Sequence, residues 1–282
     1  RHAAMLQVKS LLQDKPEFAD ARLFLGLLDL EAGDFAGAEK ELRRAQDGKA
    51  DPAQVLPALA RALLMQGEPK KVLAEIDPSS VNDPTAASRV LATKGTAHLM
   101  LRQKEEAQAA FADALKVKPG APEALVGQAR VLASDRKWPE ALEQIERALQ
   151  TDAKDADALM LKGDLLRVSG KLPDAEEAYK ALIAAHPQHV SGLLALVSLT
   201  VTSNRLDDAS SHLASVRKAS PGNPMVAYFQ GLIAFRKNDF KAARDAIGSV
   251  LKVAPNHLPS VLLGGAVEFA LGSQELAQTR LK

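Results

Sequence analysis

His186 and His189 stand in an H-x-x-H spacing, and two imidazoles that close together are how a chain begins a metal site. No carboxylate lies where it would complete the coordination, and the pair flanks Pro187 in what reads as a turn, so both read as solvated loop side chains. Asp152, Asp155 and Asp157 offer a run of carboxylates like the opening of a calcium loop. The central glycine and terminal glutamate of such a loop are missing, and the run reads instead as helix capping. Gly264-Gly265 lies inside an apolar helical run with no strand before it, the wrong setting for a phosphate cradle. His98 sits on a helix, where packing plus a hydrogen bond accounts for it. Neither a G-x-S-x-G elbow nor a P-loop occurs, and 0 Cys removes disulfides, thiolate nucleophiles and zinc fingers together. The sequence therefore predicts no catalytic residue, no metal, no cofactor and no enzyme.

What remains is a chain built to pack helices. Its 282 residues are 46% hydrophobic yet only 4% aromatic, so Ala, Leu and Val must supply the apolar volume. Basic and acidic residues number 36 and 35, a net +1 that gives no global field for nucleic acid or an anionic membrane surface. Arg43-Arg44 and Lys70-Lys71 lack interleaved aromatics and read as solvated helix surface. Apolar stretches such as Val261 to Ala270 are broken by Glu268 and fall short of the roughly 20 residues of a membrane span. The chain starts at Arg1 and stops at Lys282 inside what read as helices, as a segment of a longer chain would; a signal peptide would not show in such a segment.

Small residues recur at Gly26, Ala60, Gly95, Ala129, Gly163, Val197 (the bulky exception), Gly231 and Gly265, with a regular interval of 34 from Gly95 onward. Twelve positions after each comes Ala38, Val72, Ala107, Ala141, Ala175, Ala209, Ala243 or Ala277. Four further on stand large apolar residues, Phe111, Ile145, Tyr179, Leu213, Ile247 and Leu281 in the later units. Pro84, Pro119, Pro187, Pro221 and Pro255 close most units, with Ala153 as the exception. Turns rich in Gly, Asn, Asp and Lys, such as Ser169-Gly170-Lys171, split each unit into two helices. One such pair cannot bury its own apolar face, so successive pairs must stack.

These residues resemble the tetratricopeptide repeat: Ala107, Phe111, Ala114 and Pro119 reproduce the second half of its pattern, and Gly163, Ala175, Tyr179 and Pro187 repeat it. Its usual first-helix Trp is replaced by Leu125, Leu159 and Leu193. The resemblance implies an all-α, right-handed α-solenoid of antiparallel helix pairs over 1–282, acting as a protein-interaction scaffold. The expected divisions are a stub helix 1–18, repeats 19–52, 53–87, 88–121, 122–155, 156–189, 190–223 and 224–257, and an incomplete repeat 258–282. One extra residue falls between Asp77 and Arg89, where Pro78, Ser79, Ser80 and Pro84 suggest a looser connection.

A narrower resemblance rests on the runs Ala38 to Ala45, Val55 to Leu64 with Pro57 inside a first helix, and Ala254 to Ala266. They look like the large repeat lipoprotein encoded with bacterial PEP-CTERM/exosortase systems. That resemblance implies a periplasm-facing scaffold for exopolysaccharide production and protein sorting, held to the membrane by a lipid on a residue outside this segment. A cytoplasmic adaptor, or a regulatory segment fused to an enzyme such as a glycosyltransferase, remains open beside it.

In each first helix the residues six and three before the small residue, and one, four and five after it, lie on the side away from the paired helix. The resemblance makes that side a concave groove and gives candidate partner-binding residues: Met160, Asp164 and Arg167; Met225, Tyr228, Leu232, Phe235 and Arg236; Leu262 and Phe269. No Lys/Asn carboxylate clamp stands in it, and its apolar end fits an amphipathic or apolar segment of a protein or peptide. Leu232 and Phe235 are expected to line a surface and not a helix seam, although coverage of this end by further repeats stays open.

Overall fold

The computed structural model describes residues 2–281, with side chains for 3–280. They pack as two compact units, one up to Leu161 and the other from Lys162, where the sequence reading treats 1–282 as one solenoid. Every regular element among the described residues is helical. The first unit holds α1 (His2–Asp14), α2 (Ala19–Ala32), α3 (Phe35–Asp47), α4 (Pro52–Met65), α5 (Pro69–Glu75), α6 (Pro84–Met100), α7 (Lys104–Val117), α8 (Pro122–Ser134) and α9 (Trp138–Thr151). Helix α10 (Ala156–Val168) runs across the division. The second unit continues with α11 (Leu172–Ala185), α12 (Val190–Thr202), α13 (Leu206–Ala219), α14 (Pro224–Arg236), α15 (Phe240–Val253), α16 (Leu258–Ala270) and α17 (Gln274–Leu281). Within the units α2 packs on α3, α6 on α7, α8 on α9, α12 on α13, α14 on α15 and α16 on α17, each an antiparallel pair that also touches its neighbours.

The turns are set by backbone chemistry at the same interval as the side chains. Each turn inside a pair carries one left-handed residue: Gly33, Gly67, Arg102, Arg136, Gly170, Asn204, Asn238 or Gly272. The next N–H then donates to the carbonyl five residues back, as Asp34 does to Asp29, Arg205 to Thr200 and Ser273 to Glu268, closing the first helix. At the far end of the second helices Lys118, His186, Ser220 and Ala254 leave helical geometry with ψ of 95°, 78°, 83° and 73°. A proline follows each, and its ring excludes the α conformation at the residue before it. Asp155 caps α10 by accepting from the Ala158 N–H at 2.7 Å, as its place in the acidic run suggests. His189 is no loop spectator: its Nδ1 accepts from the Gly192 N–H at 3.1 Å and caps α12.

The pairs close on the small residues. A Cβ at Gly26 would stand 2.7 Å from Leu42, one at Gly95 2.6 Å from the Phe111 ring, and one at Gly231 2.8 Å from Ile247. Gly163 lies closer still to the Tyr179 ring, and Gly127 to that of Phe111. In all four pairs the partner is sixteen positions along, while Gly127 belongs to the next first helix, so Phe111 is held between two glycines. Ala38, Ala107, Ala141, Ala175, Ala209 and Ala243 keep no exposed surface. The side chain of Leu281 lies outside the described residues.

One expected boundary moves. Pro84 does not close a unit; it opens α6 at its first turn, with Asp83 accepting from the Ala86 N–H at 2.7 Å. The division between 53–87 and 88–121 therefore falls inside α6, which begins at Pro84. The preceding α5 is half the usual length and is followed by a single 3-10 turn, Pro78–Ser80.

Two outcomes test this packing. Gly127→Ala should cost about 1–3 kcal/mol in urea unfolding, because the new methyl meets an aromatic ring with no void to enter. Combining it with Phe111→Leu should cost less than the sum of the two single changes; strict additivity would dismiss the contact. Arg136→Gly relieves a left-handed side-chain residue (φ 59°) and should raise stability by up to about 1 kcal/mol. A lower melting temperature would refute that assignment.

Candidate functional site: the exposed stripe of the first helices

A first helix has more than one neighbour, and this divides the side facing away from its paired helix. Positions three before and four after the small residue turn toward the following first helix. Leu23 and Val126 are accordingly buried, and Val201 with them. Positions six before and five after form a straighter stripe, and the position one after is exposed on α4 and α8 but half-buried on α2, α6, α10 and α14. In the first unit this stripe carries Asp20, Gln54, Arg89 and Glu123 at its start, and Glu31, Met65, Met100 and Ser134 at its end, all exposed.

The candidate residues separate along that line. On α10, Met160 is half-buried, Arg167 is exposed, and Asp164 accepts a 2.8 Å hydrogen bond from the Tyr179 hydroxyl. Asp164 is thus tied to Tyr179 on α11 through one carboxylate oxygen, while its side chain stays 39% exposed and lies 3.7 Å from Arg167. Burial, then the Asp164 carboxylate, push the Tyr179 hydroxyl up to about 12, so it stays a donor throughout the physiological range. On α14, Met225, Tyr228 and Leu232 pack against the core of α12 and α13. Tyr228, Leu232 and Phe235 also pack against Ala243, Ile247, Leu263 and Val267. Tyr228 meets Phe229 and His257 edge-on at 5.2 and 5.6 Å, and Phe235 lies 5.6 Å from Phe240. Leu232 and Phe235 are therefore half-buried against neighbouring helices and not on a fully free surface; their side chains are long enough to reach those helices. Arg236 remains exposed.

Leu262 and Phe269, 53% and 67% exposed, occupy on α16 the positions that Tyr228 and Phe235 hold on α14. On α14 the following first helix packs against those positions; among the described residues no first helix follows α16.

Two residues absent from the candidate set stand out on the stripe: Met65, 54% exposed, and Met100, 48% exposed, each five positions past the small residue of adjacent first helices α4 and α6. Their shared offset in the repeat is the signal that could have found them. Flexible thioethers exposed side by side suit a surface that adapts to a bound segment. Polar contacts also bridge this face: Arg89 Nε donates to Glu123 at 3.0 Å, and Arg130 lies 3.6 Å from Asp157. No group of three or more His, Asp or Glu that could hold a metal ion occurs among the described residues, and none of their helices is long and apolar enough to cross a membrane.

Stacked antiparallel helix pairs with an uncovered stripe along their first helices define a helical-repeat binding protein. A tetratricopeptide-repeat family model matches residues 3–55, 93–156 and 128–190, more than half of the sequence, and a second matches 166–233. The chain belongs to the tetratricopeptide repeat family, and it is a scaffold for protein interaction. Cellulose synthase operon protein C of Pseudomonas fluorescens (strain SBW25) is 25% identical over 156 residues, 52% of this chain and 12% of that protein. The match thus spans about an eighth of that relative's length. Among solved structures, the APC/C hetero-tetramer Cut9-Hcn1 aligns with a TM-score of 0.71 at 16% identity, over 88% of this chain and 48% of that one. PilW, a type IV pilus biogenesis factor, aligns with 0.63 at 18% identity, over 75% and 97%. YrrB, described as a TPR protein with an unusual peptide-binding site, gives 0.50 at 19%, over 61% and 89%. These likenesses show the fold.

The division between seam and stripe can be measured. Leu232→Glu with Phe235→Glu should lower unfolding free energy by about 2–3 kcal/mol, since both carboxylates enter apolar seams. Ala266→Glu and Ala270→Glu, on exposed positions of α16, should stay within about 0.5 kcal/mol. Equal losses from both pairs would erase the distinction.

Proposed function

We propose that this chain is the partner-binding stretch of a non-catalytic envelope scaffold that serves exopolysaccharide production, with the open stripe of its first helices as the docking face. The observation that carries the binding role is that stripe: successive first helices repeat it at the 34-residue period, and neighbouring helices leave it open in the first unit. The identity to cellulose synthase operon protein C over 156 residues supports a polysaccharide setting. The resemblance of the runs around Pro57 and Pro255 to the PEP-CTERM-associated repeat lipoprotein supports a periplasmic face, with membrane attachment through a lipid outside these residues. The partner is a protein or peptide that contributes an amphipathic or apolar segment.

Capture from the source organism tests this, with the intact protein as bait and the envelope and cytosolic fractions analysed separately by mass spectrometry. Polysaccharide synthesis or export components retained from the envelope are expected. Retention of cytosolic proteins alone would favour a cytoplasmic adaptor and sink the envelope role. A glycosyltransferase or other catalytic domain found in the same polypeptide would identify the chain as a regulatory segment of an enzyme.

A further inference from the structure

The charges on the stripe follow a register. Arg130, one position after the small residue of α8, is answered by Asp157 at the start of α10. The place equivalent to Asp157 on the helix that follows α4 is held by Arg89, so the repeat register sets a second arginine, and not a carboxylate, opposite Arg61, the counterpart of Arg130. Arg89 has its own partner in Glu123, whereas Arg61 is exposed and pairs with no carboxylate among the described residues. One helical turn beyond Arg61 stands Met65, and Met100 holds the same offset on α6, both exposed. An uncompensated guanidinium thus lies on the same stripe as two adaptable apolar side chains. An unpaired arginine in a groove is a specific attractor for a carboxylate, since it offers a fork of donors that a lone lysine lacks.

We propose that the face formed by Arg61, Arg89, Met65 and Met100 binds an amphipathic helical segment carrying acidic residues beside its apolar stripe. The carboxylate fills the place that Asp157 fills for Arg130, and the apolar stripe lies across the two methionines. This rests on the reading of the first-helix stripe as the docking face and names the chemistry of its ligand.

The probes are three capped, helix-prone peptides of about sixteen residues. One has leucines at helical spacing flanked by glutamates, the second has lysine at every glutamate, and the third has serine at every leucine. Binding to the whole chain is followed by fluorescence anisotropy and by the methyl resonances of its five methionines, Met5, Met65, Met100, Met160 and Met225. The glutamate–leucine peptide should bind at least tenfold more tightly than either control, weaken with added salt, and move Met65 and Met100 only. Arg61→Glu should reverse the preference toward the lysine peptide, and Arg61→Gln should abolish it without reversal. Equal affinity for the glutamate and lysine peptides, or no binding by any of the three, overturns the proposal. Shifts confined to Met160 and Met225 overturn it too but leave the docking face standing, whereas binding that moves no methionine of a first helix removes the docking face as well.

Discussion

The structure depends on one contact repeated along the chain: a residue with little or no side chain on a first helix, against a large side chain sixteen positions later on the second. Helices of thirteen or fourteen residues are marginal alone in water and owe their persistence to packing. Gly95 lets the Phe111 ring lie almost on the backbone of α6, and Gly127 does the same from α8, so one ring ties three helices together. Where Val197 replaces the glycine, Leu213 stands sixteen positions on, and both remain buried.

Such close approach dictates where polar groups can go. Tyr179 has to bring a hydroxyl into the seam with its ring, and a buried hydroxyl needs a partner, so Asp164 is recruited from the face of α10. Glu176, nearly buried at the start of α11, is bonded by Arg205 from the next turn and by Lys180. Those bonds hold its carboxyl below the ordinary glutamate value of 4.5. Its stabilising contribution is therefore present above that value and is lost as the pH falls through the lower folded one.

Most of the fold is local and so was legible in the sequence. The period, the small and large residues, the turn residues and the extended residue before proline all act within one helix pair. The proline at 84 misleads because the same residue serves a helix end and a helix start, and only Asp83, a cap two residues ahead of Thr85, distinguishes them. The docking face was only half legible. A helical wheel gives the direction away from the paired helix, but how much of that side the following helix takes is a property of the stack. Leu232 and Phe235 are half covered for that reason, and Met65 and Met100 remain exposed. The place where the chain divides, within α10, has no counterpart in the periodic pattern at all.

The irregular second repeat shows how strictly the stack preserves the first-helix register. Its second helix, α5, ends after seven residues, leaving carbonyls that a longer helix would have satisfied. Lys94 reaches back from α6 to donate to the carbonyl oxygens of Leu73 at 3.4 Å and Ile76 at 3.0 Å. Ile76 and Val81 are buried and supply the apolar volume of the missing turns. The extra residue is thereby absorbed in the connector, and Gly95 still meets Phe111 at the usual separation of sixteen. Because the glycine contact fixes the rotation of α6, the insertion cannot rotate its outer face, and Arg89 and Met100 keep the offsets of their counterparts on α4. The arginine at the register position opposite Arg61 is thus a product of sequence choice, not of a slipped helix.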